Sequence, residues 1–157
     1  MLKHVAKLVQ TLKPAQVVEA HCDGPCGVYD PADARIKAEA VLSMTKKILA
    51  LPMPDAGDHA AVVAYNNTIG RYTSIKEDQA HKCKQELLVL WTDFFKPVHL
   101  EANPDLHDTF WKAAKLCSSV KVHVSLEDAE ALMAACENIH NIFWAAKGRE
   151  VAYYTAS

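Results

Sequence analysis

DPADARIKAEAVLSMTKKILAL, residues 30–51, is the stretch that commits the chain to a helical fold. Asp30 stands where a capping side chain is needed. Pro31 suits the first helical position, where its missing N–H has no intrahelical partner, and Asp33 adds negative charge to the first turn. Ile36, Ala40, Met44 and Ile48 then recur at helical spacing, with Val41 and Leu51 beside them. That stripe predicts an amphipathic helix whose apolar side carries these residues, running to about Leu51 and stopped by Pro52 and Pro54.

Three more segments of the same kind follow. After a loop at residues 52–57, a long helix is predicted from about Asp58 to Phe95, with Val62, Tyr65, Ile69, Tyr72, Ile75, Leu87, Leu90, Trp91 and Phe94 near one side. Gly70 inside it costs only about 1 kcal/mol relative to alanine, and Pro97 ends it. Asn103-Pro104 repeats the cap-then-proline device ahead of Leu106, Phe110, Ala113, Ala114 and Cys117, and residues 121–124 form a connector. Ser125 caps the last helix, and Asp128 sits where a capping box places its acid. Ala129, Leu132, Met133, Cys136, Ile139, Ile142 and Phe143 give that helix its apolar side, and Gly148 is its stop. The tail from Val151 carries Tyr153 and Tyr154 without a clear pattern. The fold class is therefore all-α, an antiparallel four-helix bundle, a fold that hosts many functions.

Bulk composition narrows the function classes. The 157 residues suffice for one domain with a real core, and 50% hydrophobic with 23% charged residues is the balance of a globular chain. A formal net charge of −2 argues against a nucleic-acid binder, which needs a basic face. No apolar run reaches the roughly 18 residues needed to cross a bilayer. Of the five cysteines, only Cys22 and Cys26 are close in sequence; Cys83, Cys117 and Cys136 sit singly inside helical patterns and read as small buried groups. Metal or redox chemistry at Cys22 and Cys26 fits better than a disulfide scaffold.

These two cysteines belong to HCDGPCGVYDP, residues 21–31, the chemically densest part of the chain. Their C-x₃-C spacing is that of neither a zinc ribbon nor a thioredoxin-like site. His4, His59, His81, His99, His107, His123 and His140 are scattered and read as surface or capping histidines. The hook can nevertheless form a full metal site by itself if the chain begins at His21. The α-amine of His21, the deprotonated amide nitrogen of Cys22 and the thiolates of Cys22 and Cys26 then make a square plane, with the His21 imidazole on the axial side. Nitrogen donors with soft thiolates in a square plane point to Ni(II) or copper rather than zinc. Gly24-Pro25 supplies the turn that returns Cys26 to the metal. An internal His21 has an amide in place of the amine, so this site requires cleavage between Ala20 and His21. Residues 1–20 lack the 7–15 consecutive apolar residues, roughly, of a secretory signal. They read as an amphipathic helix or as a removable pro-segment, and the hook favours the pro-segment.

The hook and the helix start after it resemble the nickel hook of nickel-dependent superoxide dismutases. The resemblance extends through residues 21–157 and includes Leu90-Trp91-Thr92-Asp93-Phe94-Phe95-Lys96-Pro97 and Ile142-Phe143-Trp144. It implies a removable pro-segment at 1–20 and an enzyme domain at 21–157, with the hook at 21–29 and the bundle at 30–157. It also implies disproportionation of superoxide to dioxygen and hydrogen peroxide through a Ni(III)/Ni(II) cycle, one nickel ion per subunit. On the matching positions His21, Cys22 and Cys26 are the metal ligands. Tyr29 limits access and hydrogen-bonds water or the anion, and Asp23, Gly24 and Pro25 line the approach. Lys96 would attract the superoxide anion, or else is simply a solvated lysine before a proline. A homohexamer, a maturation protease and a cytoplasmic location are further expectations, with no nucleic-acid or membrane partner.

Three positions depart from family members: Lys37 stands where they carry a glutamate, Gln79 where they carry an arginine, and Phe94 replaces a tyrosine. The exchange at Lys37 and Gln79 leads to the expectation that a backbone carbonyl of the hook orients the His21 ring. Trp91, Phe94, Phe110, Trp111, Phe143 and Trp144 are expected in the core or at subunit contacts. Two other classes compete: a nickel or copper carrier using the same hook without catalysis, and a helical interaction protein with a Cys22–Cys26 disulfide.

Overall fold

Asp30 starts the first helix in the way its short carboxylate allows: Oδ1 accepts the N–H of Ala32 at 2.8 Å, and Pro31 already lies in the helical region with φ −69°. The computed structural model describes residues 26–156. Within them the elements in order are α1 (Ala32–Ala50), α2 (His59–Val89), a π-helical turn (Leu90–Phe94), α3 (Pro97–Ala102), α4 (Leu106–Val122) and α5 (Leu126–Ala146). The described residues contain no strand. Helix α1 packs on α2 and α5, and α4 packs on the same two. The four long helices thus close a ring around one core, as an antiparallel bundle with short connections does.

Which face of α1 turns inward differs from the sequence expectation. Ala34, Ala38, Val41 and Thr45 are buried, whereas Ile36 is 48% exposed. Residues two apart on a helix lie on nearly opposite faces, so Ile36 is directed away from the core, while Ala40, Met44 and Ile48 of the same stripe are half-buried and Val41 beside it is core. The small side chains win because they permit close approach to α2, where Cys83 Sγ donates to the carbonyl of Ala34 at 3.4 Å.

Helix α2 runs through Gly70 unbroken, capped by Asp58, whose Oδ1 accepts from Ala61 N at 3.0 Å. Its buried residues are Lys76, Ala80, Cys83 and Leu87; Ile75, expected on the apolar side, is 42% exposed. Lys76 is the largest fully buried side chain, and its ammonium serves the C-terminal end of α4. It donates to the carbonyls of Val120, of Lys121 at 3.1 Å and of His123 at 3.1 Å. These carbonyls have no intrahelical partners, so the lysine acts as a remote helix cap. Burial pushes its pKa down.

The expected continuation to Phe95 is not α-helical. Phe95 N donates to Leu90 O at 3.2 Å, five residues back, in the π turn. Pro97 ends this segment and also opens α3, which the sequence reading lacked. Helix α4 starts after Asp105, and α5 starts at Ser125, whose Oγ accepts from Asp128 N at 3.1 Å. The Asp128 carboxylate accepts from Ser119 Oγ at 2.6 Å and so ties α5 back to α4. At the far end Gly148 has φ +64°. Gly148 N bonds to Ala145 O at 2.9 Å and Arg149 N to Trp144 O at 2.9 Å, the Schellman ending that a glycine permits.

Candidate metal centre and substrate cleft

Of the residues assigned to the hook, Ala20, His21, Cys22, Asp23, Gly24 and Pro25 lie outside the described residues. Cys26 is exposed, and Cys22, its partner in the disulfide reading, lies outside the described residues. Gly27 follows with φ +65°, a backbone conformation that side chains disfavour. Tyr29 is half-buried, and its ring lies 5.8 Å from that of Phe94. The chain thus leaves Cys26 by a glycine turn and is pinned to the bundle three residues later.

An open cleft of about 450 Å³ adjoins this segment, lined by Gly27, Tyr29, Asp93, Phe94, Lys96, His99, Ala146 and Lys147. Phe94 is its floor, packed 4.3 Å from Phe143 and 4.9 Å from Phe95. Two lysines stand at its edge. Lys96 caps α3, while Lys147 ends α5 with Nζ 5.5 Å from the Phe94 centroid and 5.4 Å from that of Phe143. His99 stacks on Phe94 at 5.6 Å with only 13° between the planes. Its Nδ1 accepts from Lys96 N at 3.0 Å, so the neutral ring carries its proton on Nε2. Asp93 also lines the cleft, its Oδ1 accepting from Thr92 Oγ1 at 2.8 Å.

The three remaining cysteines are core groups. Cys83, Cys117 and Cys136 are 0%, 1% and 2% exposed, and the Cys117 thiol is pushed far up by its hydrogen bond with Cys83 and by burial. A protonated thiol is a poor metal ligand. No group of three or more His, Cys, Asp or Glu side chains converges on a metal position among the described residues. Among the described residues Cys26 is the one cysteine exposed at the surface, directly before Gly27, which lines the cleft.

The model of the family described as nickel-containing superoxide dismutase matches residues 16–147. The chain belongs to the nickel-containing superoxide dismutase family. It is 38% identical over 140 residues to a nickel superoxide dismutase of Streptomyces seoulensis and 36% identical over 140 residues to one of Streptomyces coelicolor, in each case over 89% of this chain and 98% of the relative. Among solved structures it is similar to a native nickel superoxide dismutase, with a TM-score of 0.70 and 36% identity over 81% of this chain and 99% of that one. It is equally similar, at TM-score 0.70 and 38% identity, to a nickel-containing superoxide dismutase after partial X-ray-induced reduction, over 82% and 99% of the two chains. The expected helical bundle and its nickel superoxide dismutase membership are both borne out.

Within this family frame, the departures at Lys37 and Gln79 are engaged on their own helices. Lys37 Nζ pairs with Asp33 Oδ1 at 3.2 Å, and Gln79 Nε2 donates to Asp78 Oδ2 at 3.0 Å. Phe94 leaves Tyr29 as the only phenol among the cleft-lining residues. Of the predicted site residues described here, Tyr29 and Lys96 meet in the cleft. His99 and Lys147 were missed. By sequence His99 falls among the scattered histidines and Lys147 is not singled out; the signal that could have found His99 was its place two residues after Pro97, where its ring reaches back to cap α3. Of the aromatics expected in the core or at contacts, Phe110 and Phe143 are core, whereas Trp111 is 53% exposed beneath Lys115, with Nζ 5.5 Å from its ring.

Proposed function

We propose that the chain is a precursor cleaved between Ala20 and His21, and that the processed chain, with hook 21–29 and bundle 30–157, disproportionates superoxide to dioxygen and hydrogen peroxide. His21, through its amine and imidazole, Cys22, through its amide nitrogen and thiolate, and Cys26, through its thiolate, would hold one nickel ion per subunit. When bound there, nickel would supply a one-electron Ni(III)/Ni(II) couple, and conversion of two superoxide anions to dioxygen and hydrogen peroxide would take up two protons.

The chain's own residues do the rest. Lys96 and Lys147 draw a small anion into a cleft on a protein whose net charge is −2. Tyr29 and Phe94 narrow the cleft beside the hook, so that Tyr29 limits what enters and offers a hydroxyl to water or the anion. Asp23, Gly24 and Pro25 shape the same approach. His99 Nε2–H and the Tyr29 hydroxyl are exchangeable protons on residues lining the cleft. The observation that carries the reading is the exposed Cys26 thiol next to a cleft with two lysines and a tyrosine, in a chain of this family. A carrier using the same hook would bind nickel or copper without needing such a guarded, cationic cleft.

Cleavage is supported by the donor chemistry of the hook: an internal His21 offers only an amide nitrogen, and a chain that begins at His21 offers an amine. A maturation protease is therefore a partner. Assembly into a homohexamer is part of the same proposal. No described helix is long and apolar enough to cross a membrane, and a cytoplasmic location is part of the same proposal.

Superoxide-decay kinetics on protein beginning at His21, with and without nickel and beside the full-length chain, test the reading. Activity is expected only in the nickel-loaded chain that begins at His21. Equal activity in the full-length chain would overturn the cleavage step, and nickel binding without acceleration would favour the carrier.

A further inference from the structure

The family match ends at residue 147, but the chain goes on, and the residues after Gly148 turn back along the bundle. Val151 O meets Nε2 of His140, a residue only 6% exposed, at 2.8 Å. Tyr153 packs on the same imidazole at 5.3 Å between centroids and donates its hydroxyl to Met133 O at 3.5 Å. The tail therefore runs antiparallel to α5. It then crosses to α1, where the Arg35 guanidinium lies 4.4 Å over the Tyr154 ring and Ala156 N donates to Glu39 Oε1 at 2.8 Å.

Arg35 and Glu39 are the charged residues that α1 buries, 4% and 8% exposed, joined by Arg35 Nη1 to Glu39 Oε2 at 3.2 Å. A buried ion pair is tolerated only where further hydrogen bonds satisfy it. The tail supplies one, a backbone N–H for the second carboxylate oxygen, and adds a ring face for the guanidinium. Neither interaction is available from a neighbouring turn of α1, and both come from residues beyond the family match.

We infer that residues 149–156 are a clasp, built into this chain beyond the matched family region, that locks α1 onto α5 through the Arg35–Glu39 pair. Its consequence lies at the hook. Helix α1 begins at Ala32, directly after the segment that carries Cys26, Gly27 and Tyr29, so whatever restrains its first two turns restrains the base of the metal site. The contacts of the clasp named above fall on α1 and α5, and the clasp stands whether or not the proposed metal chemistry does.

Hydrogen exchange read by mass spectrometry, on the chain and on its truncation after Gly148, tests this. Amides of residues 35–42 in α1 and 133–140 in α5 are expected to exchange about tenfold faster in the truncated chain, while those of residues 83–87 and 110–117 stay within about twofold. Unchanged exchange in α1 would overturn the clasp, and so would an equal rise in all four long helices, which reports only lower global stability. If the truncated chain does not fold, Ala156→Pro in the full chain removes the Ala156 N–H that Glu39 Oε1 accepts. It is expected to raise exchange at residues 35–42 about threefold, and no change there would overturn the proposal equally.

Discussion

Lys147 Nζ stands 5.5 Å from the centroid of the Phe94 ring, so the last residue of α5's cap meets the π turn that ends α2. This contact puts a second cation beside Lys96 at the cleft next to Cys26. If both act by attracting superoxide, Lys147→Gln and Lys96→Gln should each lower kcat/KM about two- to fivefold at low ionic strength. The loss should fade above roughly 0.1 M salt, where the screening length is about 10 Å. Steady-state rates across a salt series decide this; a loss that ignores salt would mark the lysines as structural.

Cys26→Ser should abolish nickel retention in the processed chain and leave helical circular dichroism nearly unchanged. Cys26 is exposed and outside the core, so its thiol holds no part of the bundle. Metal analysis beside the far-ultraviolet spectrum reads both quantities, and a collapse of the helical signal would make this cysteine structural.

Lys76→Met should destabilise the fold by about 1–3 kcal/mol, because the carbonyls of Val120, Lys121 and His123 lose their donor in a dry environment. For a chain of this size, each kcal/mol lowers Tm by roughly 2–4 °C. Thermal unfolding measures the effect. An unchanged Tm would mean that water replaces the ammonium.

Tyr153 should ionise late, because burial, together with the Glu137 carboxylate, pushes its pKa up from 10.0 to about 12. The folded state keeps the phenolic proton longer than the unfolded one. Its contribution to stability is therefore full below pH 10 and is lost as pH rises through about 12. Phenolate absorbance during an alkaline titration should show a late step that Tyr153→Phe removes.

Much of the fold was legible because its signals are local. Asp30, Asp58 and Ser125 cap within three residues of themselves, and Gly148 ends α5 through its own positive φ. Patterns of this kind need no knowledge of neighbours. Short-range reading failed at residues 90–102. There the π turn and α3 replace a simple helix end, because Phe94 and Phe95 must pack against Phe143 and Phe110 in other helices.

By itself the sequence determined the nickel superoxide dismutase family and the count of long helices, and it supplied the proposed donor set of the hook, since each follows from residues close together along the chain. Only the tertiary structure decided which side of α1 is buried, that a lysine on α2 caps α4, and that Lys147 and His99 share a cleft with Tyr29. Inward-facing positions depend on how closely neighbouring helices approach, and small Ala34 and Ala38 win that competition over Ile36. The cleft joins Gly27 to Lys147 from nearly opposite ends of the chain. No spacing rule carries that juxtaposition; the closed ring of four packed helices does.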